Sequence, residues 1–313
     1  MKKVILDMDT GIDDALAIAY AVAKPELEIL GITTVYGTAP VEYTYRNTVK
    51  VLESVGEPLP VRKGSDKPRE RIREYNGKIH GMDGLGETLG ELKEDGLVPS
   101  QHAVDFIIEE TDRCGEDLTI VTTGPLTNLA AAIEKSPAIM KKVGKIVTMG
   151  GAVATPGNVS KFAEANIAVD PEAADIVFKS KLPVTLVGLD VTRKTLLTDK
   201  DVEKWRQLGT PTAELFASFT QFYLHEYKKL HPYLEGCALH DPLAVGVALY
   251  PDLVNTVPMH IEVDKTDEAL GRTVENLHVN EDETPNTQVC FQVDAQAFMD
   301  DFFGTCHHPN FVD

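Results

Sequence analysis

Four aspartates fall within eight residues near the start of the chain: Asp7, Asp9, Asp13 and Asp14, in the segment Ile5–Ala15 that reads ILDMDTGIDDA. Carboxylates packed so closely repel one another, and the packing costs stability unless a cation sits among them. A hard cation such as Ca²⁺ takes about six to eight oxygens, drawn from carboxylates, carbonyls and hydroxyls. Each residue also has an ordinary structural use. Asp13 and Asp14 stand where a helix would begin, a place that favours carboxylates and lets one of them cap, and Asp9 could be a turn residue. For a lone Asp-Asp pair the structural use suffices. For the whole segment, a bound cation is the better account.

These side chains need a scaffold that ends strands at one edge. Short β-branched runs at Val4–Leu6, Ile29–Val35, Leu118–Thr122, Lys145–Met149, Pro183–Leu189 and Val257–Val263 read as strands buried on both faces. Helical patterns near Asp13–Ala23, Val41–Val55, Ala103–Thr111, Leu126–Ile133 and Pro171–Lys179 lie between them. The alternation predicts an α/β fold: one domain over residues 1–313, with a mostly parallel central sheet flanked by helices, Rossmann-like. Ligands in such sheets bind beyond the carboxyl ends of the strands. Asp7 to Asp14 follow the first run, Tyr36-Gly37-Thr38 the second, Thr123-Gly124-Pro125 the third and Gly150-Gly151 the fourth. Long loops are expected at Arg62–Gly90 and Gly150–Asp170, with mobile segments near 62–90 and 220–240 closing on the site.

Composition narrows the partners. Lys and Arg number 30 against 49 Asp and Glu, a formal net charge of −19. So acidic a chain suits neither a nucleic-acid backbone nor an anionic membrane. Val4–Leu6 is too short an apolar run for a secretory signal, and no window approaches the ~20 apolar residues of a membrane span. Cys114, Cys237, Cys290 and Cys306 lack metal-type or disulfide-framework spacing, which predicts reduced thiols and a cytoplasmic protein. Cys306-His307-His308 reads as an incidental cluster rather than a metal site.

Two families resemble the acidic segment. Asp7-Met8-Asp9-Thr10 is similar to the first motif of the haloacid-dehalogenase-type phosphatases, which use Mg²⁺. That resemblance asks for a Ser or Thr after the second strand, a downstream Lys and a later acidic pair, and none is well placed. The longer ILDMDTGIDDALA resembles the signature of the nucleoside hydrolases of the inosine-uridine-preferring type. Three further matches follow in order: VTTGPLTNLA at Val121–Ala130, VTMGGAVATPGNVSKFAEANIAVDPEAA at Val147–Ala174, and His240-Asp241-Pro242 before LAVGVAL. Together they cover roughly residues 3 to 250.

The resemblance implies Ca²⁺-dependent hydrolysis of the N-glycosidic bond of a ribonucleoside, giving free base and ribose for salvage, by a homodimer or homotetramer. It implies that Asp9, Asp14, Asp241 and the carbonyl of Thr123 bind Ca²⁺, and that Asp9 also takes a proton from the attacking water. Asp13 would hold the 2′-hydroxyl, Asn166 the 3′-hydroxyl, and Asn158 with Glu164 the 5′-hydroxyl, with Met149 packed near the sugar. His240 is the candidate acid for the leaving base, since an imidazole protonates near neutral pH; the plainer alternative is a buried histidine that orients Asp241. His80, in a glycine-rich loop, is a candidate pocket residue. Tyr223 and Tyr227 share a helix face, with His231 one turn further, and are placed either against the base or in the core. Two positions depart from the family pattern: Thr10 stands where Pro is usual, and Thr38 where Asn is usual. Thr38 keeps open a third alternative, a ribose-binding protein without catalysis.

Overall fold

Side chains of a strand point alternately to its two faces, and Lys2–Met8 (β1) uses both. Val4, Leu6 and Met8 enter one hydrophobic layer and Ile5 the other. Ile12–Val22 (α1) follows, buried along nearly its whole length, then Leu27–Thr34 (β2), Val41–Ser54 (α2) and the short Val61–Lys63 (β3). Ala103–Cys114 (α3), Leu118–Thr122 (β4), Thr127–Lys135 (α4), Pro137–Met140 (α5) and Lys145–Met149 (β5) continue the alternation. Ala165–Val169 (α6) and Pro171–Lys179 (α7) precede Val184–Val187 (β6) and the single turn Leu189–Thr192 (α8). A computed structural model describes residues 1–71, 75–89, 101–278 and 283–305. Cys306-His307-His308 and parts of the 62–90 loop lie outside the described residues.

Beyond α8, Leu196–Leu197 (β7) pairs with Cys237–Ala238 (β8), and the helices Asp199–Leu208 (α9) and Pro211–Leu230 (α10) lie between them. Thr198 and Asp201 cap α9 reciprocally, and Pro211 at the first turn of α10 follows the Thr210 cap. His240–Leu249 (α11) is buried throughout and packs on α1. Val254–Met259 (β9), Ile261–Val263 (β10), Thr273–Glu275 (β11), Thr287–Val293 (β12) and Ala295–Thr305 (α12) complete the described chain. The eight-stranded sheet runs β3-β2-β1-β4-β5-β6-β12-β9, parallel except for the edge strand β9. Strand order reverses between β1 and β4, so the carboxyl ends of these two strands flank the crevice where such sheets bind ligands.

Several expectations meet differences. The run Val257–Val263 is two strands, β9 and β10, broken at His260. β9 joins the main sheet while β10 pairs with β11, and Pro258 is tolerated because β9 is an edge. β3 and β12 carried no clear signal in the sequence: one has only three residues, and the other alternates polar residues on an exposed face. The stretch 220–240 is not one long loop, because α10 continues to Leu230 and only His231–Gly236 connects it to β8. The Gly150–Asp170 stretch ends in α6, capped by Glu164.

Asp7, on the opposite face of β1 from Leu6 and Met8, is fully enclosed. Its Oδ1 accepts from Thr33 Oγ1 at 2.6 Å and from Asn128 Nδ2 at 2.8 Å, while Oδ2 has no partner. Burial, only partly offset by those two bonds, raises its carboxyl to about 6. Asn128 also donates to the Thr34 carbonyl and accepts from Ser65 N, so one amide of α4 ties the ends of β1, β2 and β3. Replacing Asn128 with Ala removes all three bonds, leaving Asp7 with Thr33 as its one side-chain partner, and is expected to cost about 2–3 kcal/mol in urea unfolding. A loss below about 0.5 kcal/mol, the range of an ordinary surface change, would refute this role.

Candidate active site

The acidic cluster forms because two buried helices start at the same place. Asp13 and Asp14 occupy the first turn of α1, Asp241 the first turn of α11, and Asp9 the loop leaving β1. Carboxylate oxygens of Asp13, Asp14 and Asp241 all lie within 4.8 Å of one another. All four aspartates are at most 6% exposed. The helix dipoles favour carboxylates here, but they do not remove the cost of burial. Desolvation first, then repulsion from Asp14, holds the carboxyls of Asp9 and Asp13 well above their usual range. Asp241 is raised likewise, by desolvation and then by Asp13, Asp14 and Asp9. Asp14 is raised less, because Thr123 Oγ1 at 2.6 Å and Gly11 N at 2.9 Å stabilise its charge.

No lysine or arginine pairs with these four among the described residues. Among the described residues the basic group within ion-pair distance is His80, 3.9 Å from Asp13, and burial lowers its imidazole to about 4, so it brings no charge. A buried group of acids with no cationic side chain has the donor set of a hard-cation site. The closest triad contains Asp13 where the resemblance put Asp9. Asp9 is turned toward Thr38: its Oδ2 accepts Thr38 N at 2.6 Å, and its carbonyl accepts the Thr38 hydroxyl. Gly37 and Gly124 press on it from two sides, since an added Cβ would stand 2.1 Å and 2.8 Å from its carboxylate oxygens. Thr10 is fully buried, with its hydroxyl 2.6 Å from that of Thr48, so this family departure is tied to α2 rather than lying in an open turn.

One cavity of about 520 Å³ gathers the catalytic, metal-binding and substrate-binding candidates that the resemblance implied, but not Asp7. Asp9, Asp13, Asp14, Thr38, His80, Thr123, Met149, Asn158, Glu164, Asn166, Tyr223, Tyr227, His240 and Asp241 all line it. Asn166 Nδ2 donates to the Thr123 carbonyl at 2.6 Å and to the Met149 carbonyl at 3.3 Å, linking the ends of β4 and β5. Glu164 is a helix cap as well as a wall residue: it accepts from Gly151 N, Asn166 N and Ile167 N. Asn158 Oδ1 accepts from Ala165 N at 3.0 Å.

An aromatic wall closes the other side. His80 stacks on Tyr223 with ring centroids 5.3 Å apart and accepts from Ile12 N through Nδ1. Tyr223, Tyr227 and His231 follow ring by ring at 5.5 Å and 4.8 Å. The tyrosines are thus both core and cavity wall. His240 lies 6.4 Å from Tyr227, with Nδ1 2.7 Å from Thr192 Oγ1. Desolvation, with Arg193 nearby, lowers its imidazole to about 3. At neutral pH His240 is therefore uncharged, which disfavours a stored proton on this ring.

Some wall residues escaped the sequence. The segment Tyr75–Ile79, Val159, Ala165 and Leu230 also line the cavity, and Thr192 is the partner of His240. Tyr36, which also lines the cavity, was already marked by its place after the second strand. The others are of ordinary types, in connections or at helix ends whose placement only the fold reveals.

The family model described as inosine-uridine preferring nucleoside hydrolase matches residues 4–300. A pyrimidine-specific ribonucleoside hydrolase, RihA, of Photobacterium profundum is 36% identical over 302 residues, 96% of each chain. The solved purine-preferring ribonucleoside hydrolase from Gardnerella vaginalis is 42% identical, with a TM-score of 0.94 over 99% of both chains. A plant nucleoside hydrolase is 34% identical, with a TM-score of 0.90 over 98% of this chain and 99% of its own. These matches displace the phosphatase and the non-catalytic alternatives. The chain belongs to the inosine-uridine preferring nucleoside hydrolase family and is an N-glycosyl hydrolase of ribonucleosides.

Proposed function

We propose that this hydrolase is Ca²⁺-dependent and that Asp9, Asp14, Asp241 and the Thr123 carbonyl hold the ion, with Asp13 close enough to share its field. The buried triad of Asp13, Asp14 and Asp241, without any cationic side chain, carries this reading. When bound, the ion supplies the positive charge that the cluster lacks and a hard centre for the sugar diol. The chain's own residues do the rest. Asp9, kept basic by burial and fixed by Thr38, takes a proton from the attacking water. Asp13 accepts from the 2′-hydroxyl, Asn166 reaches the 3′-hydroxyl, Asn158 and Glu164 form the 5′ wall, and Met149 packs against the sugar. Negative charge at this wall favours the oxocarbenium character that develops on the ribose.

The base lies against His80, Tyr223, Tyr227 and His231. His240, uncharged and held by Thr192, assists the leaving base as a hydrogen-bond donor. A wall of four aromatic rings offers more stacking face than a pyrimidine covers, so purine ribonucleosides are the preferred substrates. The purine-preferring relative at 42% identity supports this; the pyrimidine-specific relatives at 36% to 37% favour the competing preference. The setting proposed is nucleoside salvage in the cytoplasm by a homodimer or homotetramer. Buried free thiols at Cys114, Cys237 and Cys290 fit a reducing compartment, and the net charge of −19 disfavours nucleic-acid and membrane partners. No helix among the described residues is long and apolar enough to cross a membrane.

Base release across a nucleoside panel is expected to give inosine about tenfold or more over uridine in kcat/KM; a higher value for uridine reverses the preference. Asp9→Ala is expected to lower kcat by about 10³-fold or more, and near-normal turnover would remove Asp9 from the proton-transfer role.

The raised carboxyls also set a pH dependence. Between an ordinary carboxyl value of 3.8 and the value of about 8 reached by Asp13, the folded chain keeps protons that the unfolded chain has released. Stability of the cation-free protein therefore falls as pH rises through that window. His80 and His240, held neutral by burial, cost stability only as pH falls below their ordinary value of 6.5. Thermal melts in chelator should accordingly show a lower Tm at pH 8.5 than at pH 6.5, with a larger rise on adding Ca²⁺ at the higher pH. A Ca²⁺-induced rise as large or larger at pH 6.5 contradicts the site.

A further inference from the structure

The loop from Gly150 to Glu164 carries Asn158 and Glu164 to the cavity, yet it has almost no regular structure of its own. From Gly151 to Ala154 its backbone is held by side chains, one from the loop's own end and the rest from elsewhere. Gly151 N donates to Glu164, and Ala152 N donates to Thr273 Oγ1 at 2.9 Å. Val153 N and Ala154 N both donate to the carboxylate of Asp190, at 3.0 Å and 2.7 Å. The next three residues are gripped by one guanidinium. Arg193 Nη1 donates to the Pro156 carbonyl at 2.7 Å and the Thr155 hydroxyl at 3.3 Å, and Nη2 donates to the Gly157 carbonyl at 2.8 Å. Asn158 is the next residue. Asp190 and Arg193 belong to one turn, α8 and its last cap, and Thr192 of the same turn holds His240. Neither Asp190 nor Arg193 lines the cavity.

We propose that Arg193 is a positioning residue for nucleoside binding: its forked contacts with residues 155–157 fix Asn158 at the sugar wall, in register with His240, which the same turn orients. This rests on the hydrolase reading above. Arg193 is suited to the task because a guanidinium presents several donors in a rigid plane, while an ammonium is a point charge that cannot span the same set. It makes no ion pair among the described residues, so its donors are spent on the loop. The acidic half of the turn takes the loop's N–H groups and the basic half takes its carbonyls.

The test compares Arg193→Ala and Arg193→Lys with the unaltered enzyme. Arg193→Ala is expected to raise KM for inosine about tenfold with a much smaller change in kcat, and Arg193→Lys to fall between. Guanidinium chloride at millimolar, non-denaturing concentration should restore KM in Arg193→Ala but not in Asn158→Ala. The two alanine substitutions together should raise KM by less than the product of their separate effects. Thr155→Val, which removes one contact from the loop side, should raise KM about twofold and covers the case in which Arg193→Ala folds poorly. An unchanged KM in Arg193→Ala, a Lys variant equal to the unaltered enzyme, or fully additive effects with Asn158→Ala would each overturn the proposal. Calorimetric titration of ribose onto the same variants reads the loop without turnover. An unaltered enzyme that binds ribose but releases no base would sink the hydrolase reading, while the ribose affinities would still decide the role of Arg193.

Discussion

Concentrated negative charge out of reach of water is the constraint on which this molecule is built. Asp241 joins Asp9, Asp13 and Asp14 from a distant part of the chain, and all four are nearly inaccessible. An isolated chain has no reason to bring them together. They meet because α1 and α11, both apolar on every side, pack against each other and begin at one edge of the sheet. The hydrophobic gain from burying two helices outweighs the repulsion at their first turns. The repulsion that remains is a standing demand for a cation, and a polar neutral ligand is what such a site can accept alongside it.

Most of this was legible in the sequence. The six apolar runs located six of the eight strands of the central sheet, and residues just past the first three of them reach the cavity. Strand-end chemistry is readable because a parallel sheet sends all its carboxyl ends to one side. The remainder was not readable, for a physical reason. Val61–Lys63 joins the sheet only because β2 leaves an open edge beside it, and Thr287–Val293 pairs β6 in spite of a polar outer face. Pairing of this kind is a tertiary decision, and it overrides local preference.

The same limit applies within the site. Asp14, Thr123 and Asp241 follow from motif positions, but the Oδ2 of Asp9 engages Thr38 N through a backbone path that no motif encodes. His240 shows the opposite case. Its type suggests a proton donor near neutral pH, while its surroundings remove that capacity, because a buried imidazole beside Arg193 stays neutral. Residue type states what a group can do in water; burial and neighbours decide what it does here.

Gly37 and Gly124 leave Asp9 almost no room to turn. In the role proposed for Asp9, a carboxylate that cannot swing would have little reorganisation to undergo when charge develops on a sugar beside it, and small reorganisation is what makes a fixed dipole or charge effective at a transition state. The two glycines are then less a matter of backbone freedom than of stiffness: by leaving out two methyl groups, the fold lets neighbouring backbone close on one acid. Added bulk at either position would push that acid out of its place, and at Gly124 it would press on the Asp9 backbone as well.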